Sequence, residues 1–316
     1  MMNKSLLASV VLALVATVSG AYAAQSGAMV KPSANPKTAE TAQAAQVLKA
    51  AQAAQAQKSA KAAAAGKAAA AAPTLPAMTA AQIVDRNVAA RGGAAAWNAV
   101  QTISWVGKTG AGGRTYAAVS PKGQLQQKER EEVQLPFKFY FKRPMKSRLE
   151  LQFNGQTAVQ VYDGTNGWKL RPFLGKSNWE AYKPEELKQA AVEPGIDGFL
   201  IDYASKGAKV EAAGTEKVED HAAYKLKVTR KDGQVRYVWV DGQSFLDIKT
   251  DGESRKLDGK MHGVAVYLRD YQRDQGLMIP HLQETVVEGV KNSEKITIEG
   301  VTVNPKLDDA QFTKGK

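Results

Sequence analysis

The sequence predicts a mainly β protein: a single curved antiparallel sheet of about eleven strands, with a short helical lid and an N-terminal helix. Two observations lead to this fold class. From Gln101 onward apolar and polar residues alternate, as in "FKFYFK" and "SRLELQF", which is the pattern of strands with one dry and one solvated face. Turn signals such as Asn154-Gly155 and Asp232-Gly233 separate these stretches. A sheet of this width must curl, and its dry face must be covered.

Residues 1–23 have the features of a cleavable signal peptide. Lys4 precedes an apolar run over residues 6–18, and Ala21-Tyr22-Ala23 supplies the small residues before a cleavage point. The alternative is an uncleaved anchor helix, but the run is shorter than the roughly 20 residues that a membrane span needs. The chain has no cysteine, so it forms no disulfides. These features fit a Gram-negative periplasm, although secretion beyond it stays open.

Residues 24–77 form a low-complexity stretch of Ala, Gln and Lys. Such a composition favours helix but cannot bury a core, which predicts a semi-rigid spacer. The first 78 residues hold seven Lys against the single acid Glu40, within a formal net charge of +12 for the whole chain. The alternative is a basic tether that contacts an acidic membrane surface. Export makes nucleic acid a poor candidate for the partner.

The predicted domain, residues 78–316, opens with a helix. Thr79 and Gln82 have the spacing of a capping box, and Ile83, Val84 and Val88 line one helical face. Gly92 and Gly93 then end the helix. The strands follow, interrupted by two short helices in "KPEELKQAAVEPGIDGFLIDYASKG". The first of these begins near Pro184. In the second, apolar residues recur at helical spacing before Gly207, namely Ile196, Phe199, Leu200 and Tyr203.

Motifs for catalysis are weak in this sequence. His221, His262 and His281 lie in or beside separate predicted strands without a metal-ligand spacing, and no nucleophile motif or dinucleotide fingerprint is present. Glu129 and Glu131 share a strand face but lie in a Lys- and Gln-rich run typical of a solvated strand. The Asp163-Gly164 pair is typical of a hairpin turn. We therefore predict a protein that is not an enzyme and uses no cofactor or metal.

Several separate stretches resemble, in order, the outer-membrane lipoprotein-sorting (LolA/LolB-like) family of periplasmic proteins. They are "TAAQIVDRNVAARGG", "FKRPMKSRLEL", "VYDGTNGWKLRPFLGK", the helical "EELKQAAVEPGIDGFLIDYASKG", "YKLKVTRKDGQVRYVWVD" and "ITIEGVTVNPKLDDAQF". The resemblance covers about residues 78–312. It implies an unclosed, strongly curved β-barrel with a helical lid over a cavity that takes acyl chains. The implied function is a periplasmic carrier of a lipid or lipidated protein, which an envelope membrane complex could load. An envelope stress or lipid sensor and an envelope hydrolase are the alternatives.

The alternation suggests which side chains line such a cavity. The predicted apolar faces of three strands, with two lid residues opposite them, comprise Phe137, Phe139, Phe141, Leu149, Leu151, Phe153, Trp168, Leu170, Phe199 and Leu200. Trp168 and Leu170 are two residues apart and should share one face. For Trp168, packing in the core is an equally good interpretation.

Overall fold

The computed structural model describes residues 75–111, 115–119, 125–129, 132–191, 195–257 and 259–315. The predicted signal peptide and nearly all of the predicted spacer lie outside these residues, and both stay predictions. The side chain of Leu75 lies close to Gly242. The hydroxyl of Tyr224 donates to the Pro76 carbonyl at 2.9 Å. Leu75 and Pro76, which belong to the range predicted as spacer, therefore contact the domain.

Seventeen strands run through the described residues. They are β1 (Thr102–Ala111), β2 (Thr115–Val119), β3 (Leu125–Glu129), β4 (Val133–Lys142), β5 (Lys146–Phe153), β6 (Gln156–Tyr162), β7 (Gly167–Arg171), β8 (Lys176–Ala181), β9 (Lys209–Val218), β10 (His221–Thr229), β11 (Val235–Asp241), β12 (Asp247–Asp251), β13 (Arg255–Leu257), β14 (Lys260–His262), β15 (Val264–Asp274), β16 (Leu277–Val287) and β17 (Glu294–Val303).

Thirteen of these strands form one curved sheet in the order β8-β7-β6-β5-β4-β1-β17-β16-β15-β12-β11-β10-β9. Neighbours pair antiparallel throughout, and β8 and β9 end the sheet without pairing with each other. This confirms the predicted fold class. The sheet has thirteen strands instead of about eleven, and β2–β3 and β13–β14 form two further hairpins. Because β1 pairs with β17 near the middle, the two ends of the domain meet inside the sheet.

Helix α1 (Ala80–Ala90) begins with the predicted capping box, in which the Gln82 amide donates to the Thr79 hydroxyl and the Gln82 side chain accepts from the Thr79 amide. The short helix α2 (Ala94–Asn98) follows two glycines with positive φ, Gly92 and Gly93. None of the described helices has the length and apolarity to cross a membrane. Both helices lie on one face of the sheet, which we call the inner face.

The inner face holds two apolar clusters. In the first, Trp97 of α2 packs with Trp105, Phe139 and Leu149 of the sheet. In the second, Ile83 and Val84 of α1 pack with further side chains at the other end of the sheet, namely Tyr224, Leu226, Val228, Val238 and Val240. The two helices therefore cover the two halves of the dry face, as a half-open sheet requires.

The region between β8 and β9 only partly forms the predicted helices. Helix α3 (Pro184–Ala190) is present, with Glu185 and Glu186 in its first turn. Residues 196–207 form successive turns instead of the second predicted helix. Gly198 and Asp202 have φ of 78° and 55°, outside the right-handed helical region. A Cβ on Gly198 would also lie 3.3 Å from Arg91. The apolar residues that recur at helical spacing thus lie in a compact loop, residues 195–207, which we call the lid segment.

A C-terminal segment covers part of the other face of the sheet, the outer face. Asp308 and Gln311 form a capping box around the 3₁₀ turn Asp309–Phe312, and Phe312 is fully buried. Lys142 and Lys146 contact Asp309 at 2.8 and 3.1 Å. The Arg148 guanidinium donates to the Gln311 carbonyl at 3.1 Å. The last residues of the domain are thereby fastened to β4 and β5.

Candidate functional site

Six of the predicted site residues come together on the inner face. Phe137, Phe139 and Phe141 are buried on β4. The register pairs Phe137 with Leu151 and Phe139 with Leu149, and directly paired residues share a face. Phe153 is partly buried at the edge of the same cluster. Trp105 adds to this surface, with its ring centroid 5.5 Å from that of Phe139. This part of the inner face is a continuous apolar surface.

The structure does not bring Trp168 and Leu170 to that surface. Leu149 pairs with Gln160, and Gln160 pairs with Lys169. The inner-face position on β7 therefore belongs to Lys169. Trp168 pairs with Val161 and Leu170 with Val159, so both lie on the outer face. Trp168 and Leu170 do share a face of β7, as their spacing predicted. The register of β6 with β7 makes this the outer face of the sheet and not the inner face.

Phe199 and Leu200 occupy different positions in the lid segment. Leu200 is fully buried in the second apolar cluster, whereas Phe199 is only partly buried at its margin. Ile201 is also fully buried, and it packs in the first cluster. The lid segment therefore touches both halves of the inner face. Of the two predicted lid residues, Phe199 is the one that lies beside open space.

A cavity of about 80 Å³ lies between the lid segment and the sheet, and we call it the polar cavity. Arg91 and Asp247 face each other there, with Nη1 and Oδ2 3.6 Å apart. Asp247 Oδ1 accepts from the Asn87 amide at 2.7 Å, and the Tyr271 hydroxyl donates to the Asp247 carbonyl at 2.8 Å. Burial raises the pKa of Asp247 above its usual value, although Arg91 and Asn87 oppose this effect. Burial also raises the pKa of Tyr271.

Three buried polar atoms of residues lining the polar cavity have no protein partner in the described part of the chain: Arg91 Nε, Trp105 Nε1 and Gln283 Oε1. Two are donors and one is an acceptor. Buried groups of this kind normally bond to water or to a ligand. Sequence reasoning missed this cluster, because its members lie up to 192 positions apart and no local motif joins Arg91 to Gln283.

A second cavity, of about 290 Å³, lies on the far side of the lid segment. Arg143, Lys206, Arg230 and Lys231 line it together with apolar side chains, namely Pro144, Met145, Phe199, Ala208 and Val228. We call it the basic cleft. Gly195, Gly198 and Phe199 line both the basic cleft and the polar cavity. A short stretch of the lid segment therefore separates the two spaces.

Asp197 fastens the lid segment to the rest of the domain. Its carboxylate is buried and contacts Arg143 Nη2 at 2.9 Å and Lys206 Nζ at 3.3 Å. Its carbonyl accepts from Arg91 Nη1 at 2.8 Å. Arg143 also donates to the carbonyls of Trp97 and Val100. Cations from the residue that follows α1, from the β4–β5 turn and from the lid segment itself thus converge on one residue.

The histidines lie apart from these cavities, each with a partner of its own. His221 contacts Asp241 at 3.0 Å, His262 contacts the Glu288 carbonyl at 2.8 Å and His281 contacts Asp274 at 2.7 Å. Across the described ranges no three His, Cys, Asp or Glu side chains are grouped as metal ligands.

Asp163 serves the turn between β6 and β7. Its Oδ1 accepts from the backbone amides of Thr165 and Asn166 at 2.8 and 2.7 Å. Burial acts to raise the pKa of this carboxyl, but these hydrogen bonds outweigh it and the pKa is lowered. Asp163 therefore has the structural role that its hairpin sequence predicted.

Solved structures with a similar fold include a LolA superfamily protein from Nitrosomonas europaea, with 14% identity, 75% of this chain and 99% of that chain covered, and a TM-score of 0.48. A DUF1329 family protein from Desulfovibrio piger has 14% identity, with 74% and 97% covered and a TM-score of 0.48. A domain named for outer membrane lipoprotein sorting, from Vibrio parahaemolyticus, has 11% identity, with 73% and 94% covered and a TM-score of 0.45.

The similarity to lipoprotein-sorting proteins that the sequence motifs predicted is thus found among solved structures. At 11–14% identity and with TM-scores below 0.5, it assigns neither a cargo nor an activity to this chain. No protein-family model and no curated protein matches the sequence.

Proposed function

We propose that this protein is a periplasmic carrier that shields the acyl chains of a lipid or lipidated protein on its inner face, beneath the lid segment. The proposal includes export by the N-terminal signal and exchange of cargo with an envelope membrane complex. It concerns reversible binding and not catalysis. The lid segment and the surface under it are the features that support it.

One observation carries the proposal: the lid segment fills space over an apolar sheet surface without forming a regular element. Ile201 packs with the cluster that contains Phe139 and Leu149, and Leu200 packs with the cluster of α1. Moving the lid segment would uncover apolar side chains from both clusters. An acyl chain lying there would gain about 0.8 kcal/mol for each methylene that it buries. A few methylenes would therefore offset the contacts that the lid segment gives up.

The contacts that hold the lid segment in place are of a kind that allows reversible opening. Polar contacts with Asp197 fix one end of it, and Gly195, Gly198 and Gly207 have positive φ. Glycine reaches such conformations without strain, so these positions can act as hinges. Binding would shift the population toward the open form by the difference in affinity between the two forms. The direction of transport would then come from a partner with higher affinity for the cargo.

Phe199→Glu tests the proposal with the fold kept intact. Phe199 is partly buried beside both cavities, so a carboxylate there can reach solvent in the free protein. With cargo bound, this carboxylate would have to lie against the apolar chain, and uptake of a fluorescent fatty-acid probe should fall by about tenfold or more. Circular dichroism would confirm that the variant is folded.

Two further variants serve as comparisons for Phe199→Glu. Met261→Glu places the same charge on a residue that is 60% exposed, and it should leave uptake unchanged. Leu200→Glu is expected to unfold the domain, because Leu200 is fully buried and a buried unpaired charge is strongly unfavourable. A folded Phe199→Glu protein that binds the probe as well as the parent would refute the proposed site.

A further inference from the structure

We infer that the basic cleft binds the anionic headgroup of a lipid, so that the carrier prefers anionic lipids to zwitterionic lipids with the same acyl chain. The inference rests on the proposed function and adds a substrate class to it. The shared chemistry is a phosphate or carboxylate group, and the source that we propose is a lipid headgroup.

The shape and lining of the basic cleft fit an amphiphilic ligand. Its volume is about 290 Å³, larger than that of the polar cavity. Pro144, Met145 and Val228 form apolar walls, and the four cations Arg143, Lys206, Arg230 and Lys231 come from three separate parts of the chain. No carboxylate lies among the described residues that line it. A ligand with an acidic group and an apolar part matches this combination.

Two carboxylates of the described residues, Asp197 and Asp232, lie near these cations. Asp197 contacts Arg143 through Oδ1 and Lys206 through Oδ2, so a single negative charge lies between two of the cations. Asp232, next to Lys231 in the chain, accepts from the Gln234 amide at 3.1 Å within its own turn. Among the described residues, the charges of Arg143, Lys206 and Lys231 exceed those of Asp197 and Asp232 by one, and a positive site of this kind attracts an anion.

The surroundings of Lys206 disfavour its positive charge. Burial lowers the pKa of Lys206, and the charges of Arg143 and Arg91 lower it further, while Asp197 acts in the opposite direction. Because the net shift is downward, burial and the neighbouring cations together disfavour the ammonium ion more than Asp197 favours it. An anion placed beside Lys206 would relieve this cost.

The connection with the inner face indicates a lipid as the source of the anion. Gly195, Gly198 and Phe199 line both the basic cleft and the polar cavity beneath the lid segment. With a headgroup beside Lys206, the first methylenes of the chain would lie at Phe199. The rest of the chain would then continue under the lid segment, where the proposed function places it.

The test measures binding of two lysolipids with the same acyl chain by equilibrium dialysis, below their micelle concentrations. We expect lysophosphatidylglycerol to bind about fivefold to tenfold more tightly than lysophosphatidylcholine at low salt, as for one or two partly exposed ion pairs. The ratio between the two affinities should fall as salt is added, since salt screens exposed charges. Glycerol 3-phosphate, which is the headgroup chemistry without a chain, should bind far more weakly.

A charge reversal at the basic cleft tests whether the cleft is the source of the preference for the anionic lysolipid. Lys231 is exposed at the rim of the basic cleft, and Lys231→Glu should lower the ratio between the two affinities by about fivefold. Lys291→Glu makes the same change of charge at an exposed position in the β16–β17 turn and should leave the ratio unchanged. Circular dichroism would show that both variants are folded.

The possible outcomes separate this inference from the proposed function. Equal affinities of the parent protein for both lysolipids would overturn the headgroup site and leave the carrier intact. Failure to bind either lysolipid would overturn both. Binding of glycerol 3-phosphate as tightly as lysophosphatidylglycerol would identify a site for small anions and overturn the lipid source.

Discussion

At the scale of single residues, Asp197 joins three parts of the molecule through its two carboxylate oxygens and its carbonyl. The carboxylate is almost wholly buried, while Arg143 and Lys206 remain partly exposed. Hydrogen bonds to charged groups contribute more than neutral ones. Loss of this carboxylate would leave two cations close together with no counter-ion beside them. Substitution of Asp197 should therefore loosen the lid segment more than substitution of any other polar residue in the segment.

Asp197→Asn is expected to loosen the lid segment by about 1–3 kcal/mol, because it removes the charge from two charge-assisted contacts. Hydrogen exchange of the amides in residues 196–207 should accelerate by roughly tenfold or more, while exchange in β4 and β5 stays unchanged. Asp202→Asn is the matched control, since Asp202 is exposed in the same segment and Asn tolerates its positive φ. Equal exchange in the two variants would show that Asp197 does not hold the lid segment.

At the scale of elements, the edge formed by β7, β8 and α3 is held by ion pairs. Glu180 of β8 contacts both Arg171 of β7 and Lys176, and Lys169 of β7 contacts Glu186 of α3. Charged residues on an edge strand also discourage pairing with other chains. The hydrogen bonds from Lys176 and Arg171 lower the pKa of Glu180 from 4.5 to about 2.

This lowered pKa predicts a pH dependence. A carboxyl whose pKa is lower in the folded state stabilises the fold above its unfolded pKa, and this contribution is lost as the pH falls through the folded pKa. The contribution of Glu180 should therefore be complete above about pH 5 and should disappear between pH 4.5 and about 2. Its side chain is 33% exposed, so solvent screening limits the contribution to about 0.5–1 kcal/mol.

Urea unfolding of the parent and of Glu180→Gln at pH 6 and pH 3 measures this effect. The free energy of unfolding of the parent should fall more over this range than that of the variant. Glu211→Gln serves as the control, because Glu211 is exposed in the other edge strand and contacts only Lys227 among the described residues. A difference for Glu180→Gln no larger than that for Glu211→Gln would contradict the assignment.

At the scale of the whole molecule, the C-terminal segment fastens to the outer face and meets the edge of the sheet. Phe312 is fully buried there, and Gly315 lies near Trp179 of β8. The pairing of β1 with β17 brings this segment back over β4 and β5. The chain thus covers the inner face with its N-terminal helices and part of the outer face with its last residues.

Phe312→Ala should destabilise the domain by about 3–5 kcal/mol, because it removes a large buried side chain from the outer face. Affinity for an acyl probe should stay within a few fold in the folded variant, since the proposed cavity lies on the inner face. Lys314→Ala alters an exposed neighbour and should have little effect on either measurement. Thermal unfolding and probe titration test both points, and strong loss of affinity in folded Phe312→Ala would place the site elsewhere.

Local sequence alone determined the fold class and most elements. Alternation with a period of two specified which side chains of β4 and β5 share a face, because successive Cβ atoms point to opposite sides of a strand. Asn154-Gly155 specified a tight hairpin, and both residues have the positive φ that such turns need. The capping box at Thr79 marked the start of α1. Each of these features depends on interactions within a few residues.

Only the tertiary structure decided which faces meet. The spacing of Trp168 and Leu170 made them neighbours, but the register of β6 with β7 put them on the outer face. The lid segment is a loop in which Gly198 has a positive φ and lies close to Arg91, 107 positions away in the chain. The basic cleft joins Arg143, Lys206 and Lys231, whose local sequences show no common motif. Alternation specifies the two faces of a strand, whereas long-range packing and register determine what each face contacts.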